Sequence, residues 1–197
     1  TADTDATATI NINAGAFTDE LGNENTVGAT EVPITVDTTA PTVTVTSDKN
    51  SVGGNDGSIV ETATITFTLS EPSDNFIASD VVVVNGSIGT LTANGTNDVY
   101  TATFTPDDPV NGTATVTVPA STLTDSNGND NTEGQVSIAV NTVRPTIGIV
   151  SVPTSVGGTD VAVITFTLSA ASTDFLSLEG DVDVSGGTIS DLAGSGS

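Results

Sequence analysis

An all-β chain of tandem Greek-key sandwiches is what the sequence predicts, on three observations. Apolar residues alternate with threonines at a period of two, turn dipeptides punctuate the alternating runs, and the whole pattern repeats at an offset of roughly 100 residues. No segment carries a helical period.

The repeat is the firmest of the three. Ala8-Thr9-Ile10-Asn11-Ile12 matches Ala114-Thr115-Val116-Thr117-Val118, and 17–26 (Phe-Thr-Asp-Glu-Leu-Gly-Asn-Glu-Asn-Thr) matches 123–132 (Leu-Thr-Asp-Ser-Asn-Gly-Asn-Asp-Asn-Thr). Pro41-Thr42-Val43 returns as Pro145-Thr146-Ile147, Ser51-Val52-Gly53-Gly54 as 155–158, and Ile65-Thr66-Phe67-Thr68-Leu69-Ser70 as 164–169. These blocks divide the chain into the C-terminal half of one repeat (1–40), a complete repeat (41–144) and the N-terminal half of a third (145–197). The chain therefore reads as an excerpt from something longer.

Within the complete repeat, seven strands are predicted at 42–46, 60–69, 80–84, 87–92, 98–105, 112–118 and 134–140. Ala63, Ile65, Phe67 and Leu69 alternate with Thr62, Thr64, Thr66 and Thr68, which puts an apolar face inward and a threonine face toward water. Tyr100, Ala102 and Phe104, and Ala114, Val116 and Val118, do the same. About one residue in five is Thr; with Val and Ile it is stiff at the first side-chain torsion and suits strands. Asn85-Gly86, Asn94-Gly95 and Asn111-Gly112 read as tight turns, since both residue types tolerate positive φ. Seven short strands in such a span indicate a Greek-key sandwich of immunoglobulin-like architecture, without the cysteine pair and core tryptophan of antibody domains.

Composition removes whole classes of function. The 197 residues hold two basic side chains, Lys49 and Arg144, against 25 acidic ones, for a formal net charge of −23, with no His, Cys, Met or Trp. Zinc, haem and iron–sulfur sites need His or Cys. A disulfide, a cysteine nucleophile or a Ser-His-Asp triad cannot be built. Such a charge repels nucleic acid and an anionic membrane surface. No apolar run reaches the ~18 residues of a membrane-spanning helix, and no leader pattern follows Thr1. Paired acids such as Asp107-Asp108 match a glycosidase only by residue type, so no enzyme is expected.

Several phrases carry a likeness. Val36-Asp37-Thr38-Thr39-Ala40-Pro41-Thr42-Val43, Ile65-Thr66-Phe67-Thr68-Leu69-Ser70-Glu71 and Ala16-Phe17-Thr18-Asp19-Glu20-Leu21-Gly22-Asn23 resemble the tandem bacterial immunoglobulin-like repeats of giant secreted (RTX-type) surface adhesins. The resemblance implies a non-enzymatic extender or stalk on a bacterial cell surface, exported and stiffened by calcium, serving attachment or biofilm formation. Neighbouring repeats of the same chain are then its partners. Alternatives are a self-associating filament or surface-layer subunit and a ligand-binding adhesin module.

Tracing the strands up and down the sandwich gathers acids at the pole where the repeat begins. Glu71 and Asp74 come from one loop, Asp98 from another, and Asp125, Asn127, Asn129 and Asp130 from the long loop 119–133, while the linker brings Asp37. Clustered carboxylates without basic partners favour protonation or a bound cation, and Ca²⁺ takes six to eight such oxygens. Asp19 and Asn23 are the counterparts of Asp125 and Asn129 in the leading half-repeat. Asp125 and Asp19 are equally suited to capping a turn, with Gly128 and Gly22 at positive φ. Asp125 to Asn129 mimics the start of an EF-hand loop, but Asp130 stands where that loop requires Gly, so that motif is rejected. At the second junction Asn141, Arg144 and Ala170 replace Asp37, Ala40 and Glu71. Calcium binding there is expected to be weak or lost, with Arg144 pairing instead with Asp107 or Asp108.

Overall fold

The computed structural model describes residues 5–28, 32–54, 60–172, 175, 181–191 and 193–194. They form two compact units, Thr1–Thr142 and Val143–Ser197.

The first unit opens with an antiparallel hairpin, β1 (Asp5–Ile10) and β2 (Val32–Asp37), in which Asp5 faces Asp37 across the ladder. The strands β3 (Val43–Ser47), β4 (Ser51–Gly53), β5 (Ala63–Leu69), β6 (Val82–Val84), β7 (Gly86–Ile88), β8 (Thr92–Ala93), β9 (Val99–Pro106), β10 (Asn111–Val118) and β11 (Gly134–Asn141) follow. They build two sheets, β3-β5-β9-β7 with β8 also on β9, and β4-β11-β10-β6. All pairings are antiparallel except β4 on β11. This is the immunoglobulin-like sandwich the alternation predicts.

The period of two becomes burial. Ala63, Ile65, Phe67 and Leu69 on β5 are buried while Thr64 and Thr68 are exposed. Ile65, Phe67 and Phe104 from one sheet meet Val116, Val118 and Ile138 from the other, all fully buried. Each such side chain contributes about 1.5–3 kcal/mol by leaving water. Phe76 closes the end of the core, edge-on to Phe67 at 5.4 Å and to Tyr100 at 5.0 Å. The Tyr100 hydroxyl donates to the Ser73 carbonyl at 2.6 Å, so the one Tyr of the chain points inward with its polar tip satisfied.

The strand boundaries bring corrections. β5 begins at Ala63 rather than residue 60. The span 87–92 is two short strands, β7 and β8. Asp80 belongs to a short 3-10 turn, Ala78–Asp80, before β6. The predicted set lacks β4, which three residues form by crossing from the β3 sheet to lie beside β11; so short a segment has no periodicity to detect. Asn85 does make the tight turn, at φ +60. Gly86 follows it where a Cβ would strike the Phe104 ring. Asn111-Gly112 is not a turn: both residues lie in β10, facing Asn141 and Val140.

In the second unit, β12 (Ile147–Val152) and β13 (Val163–Leu168) pair in the register of β3 and β5, with Ile147 opposite Leu168 as Val43 is opposite Leu69. Thr146 N–H donates to Ser169 Oγ at 2.8 Å, the counterpart of Thr42 N–H to Ser70 Oγ at 2.9 Å. Phe166 and Phe175 repeat the edge-on contact of Phe67 and Phe76, at 5.6 Å.

Candidate metal centre

The site begins with the chemistry of one loop, 119–133. Asp125 Oδ1 accepts the backbone N–H groups of Asn127 (2.8 Å) and Asn129 (2.9 Å), and Asp125 Oδ2 accepts Asn129 Nδ2 (2.8 Å). Gly128 takes φ +88 to turn the chain beneath that carboxylate, a conformation that disfavours any residue with a Cβ. Burial works against the charge on Asp125, but the bonds from Asn129, Asn127 and Gly128 outweigh it and hold its pKa below the usual aspartate value. Asn131 fixes the base of the loop. Its Oδ1 accepts the Thr122 and Leu123 N–H groups, and its Nδ2 donates to the Pro119 and Thr132 carbonyls.

The linker is laid against this loop. Thr132 N–H donates to the Pro41 carbonyl at 3.0 Å. Asp37, the last residue of β2, accepts Asn127 Nδ2 in a short hydrogen bond, with Asn129 Nδ2 at 3.3 Å from its carbonyl and 3.4 Å from Oδ1. Thr39 donates its N–H to Asp37 Oδ1 (3.1 Å) and its hydroxyl to Asp5 Oδ1 (2.8 Å).

Glu71 completes the arrangement. Carboxylate oxygens of Asp37, Glu71 and Asp125 lie within 4.8 Å of one another, the one such trio among the described residues. No basic side chain is among the groups that shift the Glu71 and Asp125 carboxyls. Burial, then the charges of Asp37, Asp125 and Asp5, push the Glu71 carboxyl above its ordinary pKa. Hard oxygen donors at this spacing, without nitrogen or sulfur, suit a hard cation of the calcium type.

The other sequence-predicted residues divide. Asn127 and Asn129 belong to the cluster. Asp74 lies beside it, lining with Pro72, Asn75, Thr124, Asp125 and Ser126 a shallow cleft of about 200 Å³, but its Oδ1 is taken by Asn97 Nδ2 at 2.9 Å. Asp98 turns its carboxylate back onto Thr96 and Asn94, whose hydrogen bonds, against a smaller burial effect, lower its pKa. Only its backbone joins the pole, accepting the Leu69 N–H at 2.8 Å.

Asp19 and Asn23 rebuild the same loop in the leading hairpin. Asp19 Oδ1 accepts the Leu21 and Asn23 N–H groups, both at 2.9 Å, Asn23 Nδ2 reaches Asp19 Oδ2 at 2.8 Å, and Gly22 sits at φ +87. The Asn23 side chain, then its backbone, lowers the Asp19 pKa. This loop joins the opposite end of the hairpin from Asp37, about 17 Å away along the strand, and so takes no part in the trio.

Three residues of the site escaped the sequence reading: Asp5, Thr39 and Asn131. Asp5 had a signal, because the repeat aligns it with Asn111 and the hairpin register then sets it opposite Asp37. Asn131 had one too, as the partner of Asn25 in the matched phrase.

Residues 37–142 and 141–197 each match the family model described as a bacterial Ig-like domain. No curated protein matches the chain.

Proposed function

Since the chain belongs to the bacterial Ig-like domain family, we propose that it is a non-enzymatic extender segment of a large bacterial cell-surface adhesin, outside the cell, stiffened by Ca²⁺ at the junction of its first two repeats. Attachment or biofilm formation is the service such a stalk performs, by holding a terminal binding domain away from the surface. The observation that carries this reading is the trio Asp37, Glu71 and Asp125, one residue from the leading hairpin and two from the following repeat. Asp5 adds a fourth carboxylate from the hairpin side.

These residues fit calcium by donor type. The carboxylates supply the oxygens, and the amides of Asn127 and Asn129 carry carbonyl oxygens that reach the same space on rotating about their terminal bond. A cation there would exchange three mutual repulsions for attractions and tie β2 to loop 119–133. At ten to a hundred times its dissociation constant, calcium would stabilise the first unit by roughly 1.4–2.7 kcal/mol. The test is thermal unfolding with calcium and with chelator, paired with small-angle scattering. A chelator-sensitive melting point and length support the reading; indifference of both removes calcium from it.

A further inference from the structure

We infer that Asn127-Gly128 is a site of spontaneous deamidation, and that the reaction adds a fourth carboxylate to the cluster of Asp37, Glu71 and Asp125. What the added charge does for the cluster rests on the calcium reading above; the reaction itself does not.

Asn before Gly is the pair least hindered for this chemistry, because the attacking residue has no Cβ to crowd the ring that forms. The glycine backbone nitrogen bonds to the Asn side-chain carbonyl carbon. Its proton passes through solvent to the amide nitrogen, which leaves as ammonia while a five-membered cyclic imide closes. Water then opens the imide at either carbonyl, giving aspartate or its isomer with the backbone routed through the side chain. One ammonia is lost for one water gained, and either product carries a carboxylate at residue 127.

The chain has four Asn-Gly pairs, and the fold treats them differently. Asn85 is half-buried and donates to the Thr113 carbonyl at 2.8 Å, and a Cβ at Gly86 would strike the Phe104 ring, so the imide has no room. Asn94 is locked into its turn. Its Oδ1 accepts the N–H groups of Thr96 at 3.2 Å and of Asp98 and Val99 at 3.3 Å, and its Nδ2 donates to Asp98 at 2.6 Å. Asn111 and Gly112 are held extended in the ladder of β10 and β11. Asn127 and Gly128 lie exposed in a loop. Among the described residues the Asn127 carboxamide makes one hydrogen bond, from Nδ2 to Asp37, and its Oδ1 accepts none. The Gly128 N–H, which must be released to attack, is shared between the Asp125 carbonyl, at 3.3 Å, and the Asp125 carboxylate. Nothing lies within 4 Å of where a Gly128 Cβ would stand. The carbonyl carbon can therefore turn toward the nitrogen after breaking one bond, and the ring has space.

The consequence follows from what Nδ2 touches. Deamidation removes the donor to Asp37 and sets a carboxylate in its place, so an attraction becomes a repulsion among like charges. Without a cation, the hold of loop 119–133 on β2 weakens. With calcium, the new carboxylate is one more hard oxygen donor, and affinity in such sites rises with the number of charged ligands. An ageing chain thus comes to rely more on calcium at this position. The matched loop 17–26 carries Leu21 before Gly22 and cannot react in this way.

The test is to age the full chain at neutral pH and follow all four pairs by peptide mapping and mass spectrometry. Asn127 should convert severalfold faster than Asn85, Asn94 or Asn111. In parallel, Asn127→Asp reproduces the aspartate product. Its melting point should fall in chelator and recover in calcium, widening the gap between the two conditions relative to the parent chain, and its calcium dissociation constant should drop severalfold. Conversion of another pair first overturns the proposal, as does an intact Asn127 after many times the reaction time of the denatured chain. A melting point of Asn127→Asp unchanged in chelator overturns the charge argument. Deamidation at Asn127 together with a loss in chelator that calcium does not repair would sustain the modification and defeat the calcium reading instead.

Discussion

Two hairpins of this molecule share a sequence pattern and a loop but not an environment. β1–β2 and β10–β11 enclose the same turn, with matched bridges Thr18–Glu24 and Thr124–Asp130 and the same asparagine clamp below. Yet Val116, Val118 and Leu123 are buried, while their counterparts Ile10, Ile12 and Phe17 are 58%, 46% and 60% exposed. The comparison separates what is local from what is tertiary. The turn geometry follows from Asp, Gly and Asn at fixed spacing wherever the phrase occurs. Burial requires an opposing sheet, which β3, β5 and β9 provide only to the complete repeat.

The sharpest way to break the comparison is to truncate the matched apolar residue in each hairpin. Leu123→Ala should cost about 2–5 kcal/mol through lost burial and the cavity left behind. Phe17→Ala should stay within about 0.5 kcal/mol in this chain. Chemical denaturation of both variants checks it, and equal losses would mean that the leading hairpin is packed in solution.

Next in size is the asparagine clamp. Asn131→Ala strands two N–H groups and two carbonyls at a buried position and should cost about 1–3 kcal/mol. Asn25→Ala, whose partners Phe17, Asn13 and Val27 reach water, should lose less than half as much. Amide hydrogen exchange at Thr122 and Leu123 reports the same loss locally.

The loops can also be told apart by metal. Asp37→Asn and Glu71→Gln should each abolish most of the roughly 1.4–2.7 kcal/mol that calcium adds. Asp19→Asn should leave the calcium response intact, since its loop lies away from the trio. Calorimetric titration of the three variants checks this, and a lost response in Asp19→Asn would move the site.

The smallest effect is one of pH. The metal-free Glu71 carboxyl is raised, so the folded state holds its proton more tightly than the unfolded chain does and is disfavoured by its charge at neutral pH. That penalty disappears as pH falls through the raised pKa. Asp125 has the opposite sign: its contribution is present above the unfolded aspartate pKa and is lost as pH falls through the lowered folded value. In chelator, Glu71→Gln should therefore raise stability at pH 7 by about 0.5 kcal/mol or less and change nothing below about pH 4. In calcium the same substitution should destabilise at pH 7, and this reversal is the diagnostic.

Most of the sandwich was legible because a two-residue period reports directly on which face is buried. The strands that β5, β9, β10 and β11 became were each predicted to within a few residues. What escaped was either too short to have a period, as with β4 and the break between β7 and β8, or depended on cross-strand register. Asp5 joins Asp37 only because the hairpin pairs their positions, and Asp98 leaves the cluster only because Asn94 and Thr96 lie close enough to bond it first. Strand order identified the pole and its acids. Hydrogen bonds decided which of those acids face each other.

The parallel pairing of β4 with β11 has a consequence under load. Ser51, Val52 and Gly53 lie beside Ala139, Val140 and Asn141 with both strands running the same way, near the entry and exit of the repeat. Tension drawn through the chain then pulls these two strands past each other in shear, so their bonds must yield together and cannot be unzipped singly. Resistance to stretching is thus concentrated in a patch three residues long, and a proline at Val140 would weaken the repeat against force far more than its place in the core alone implies.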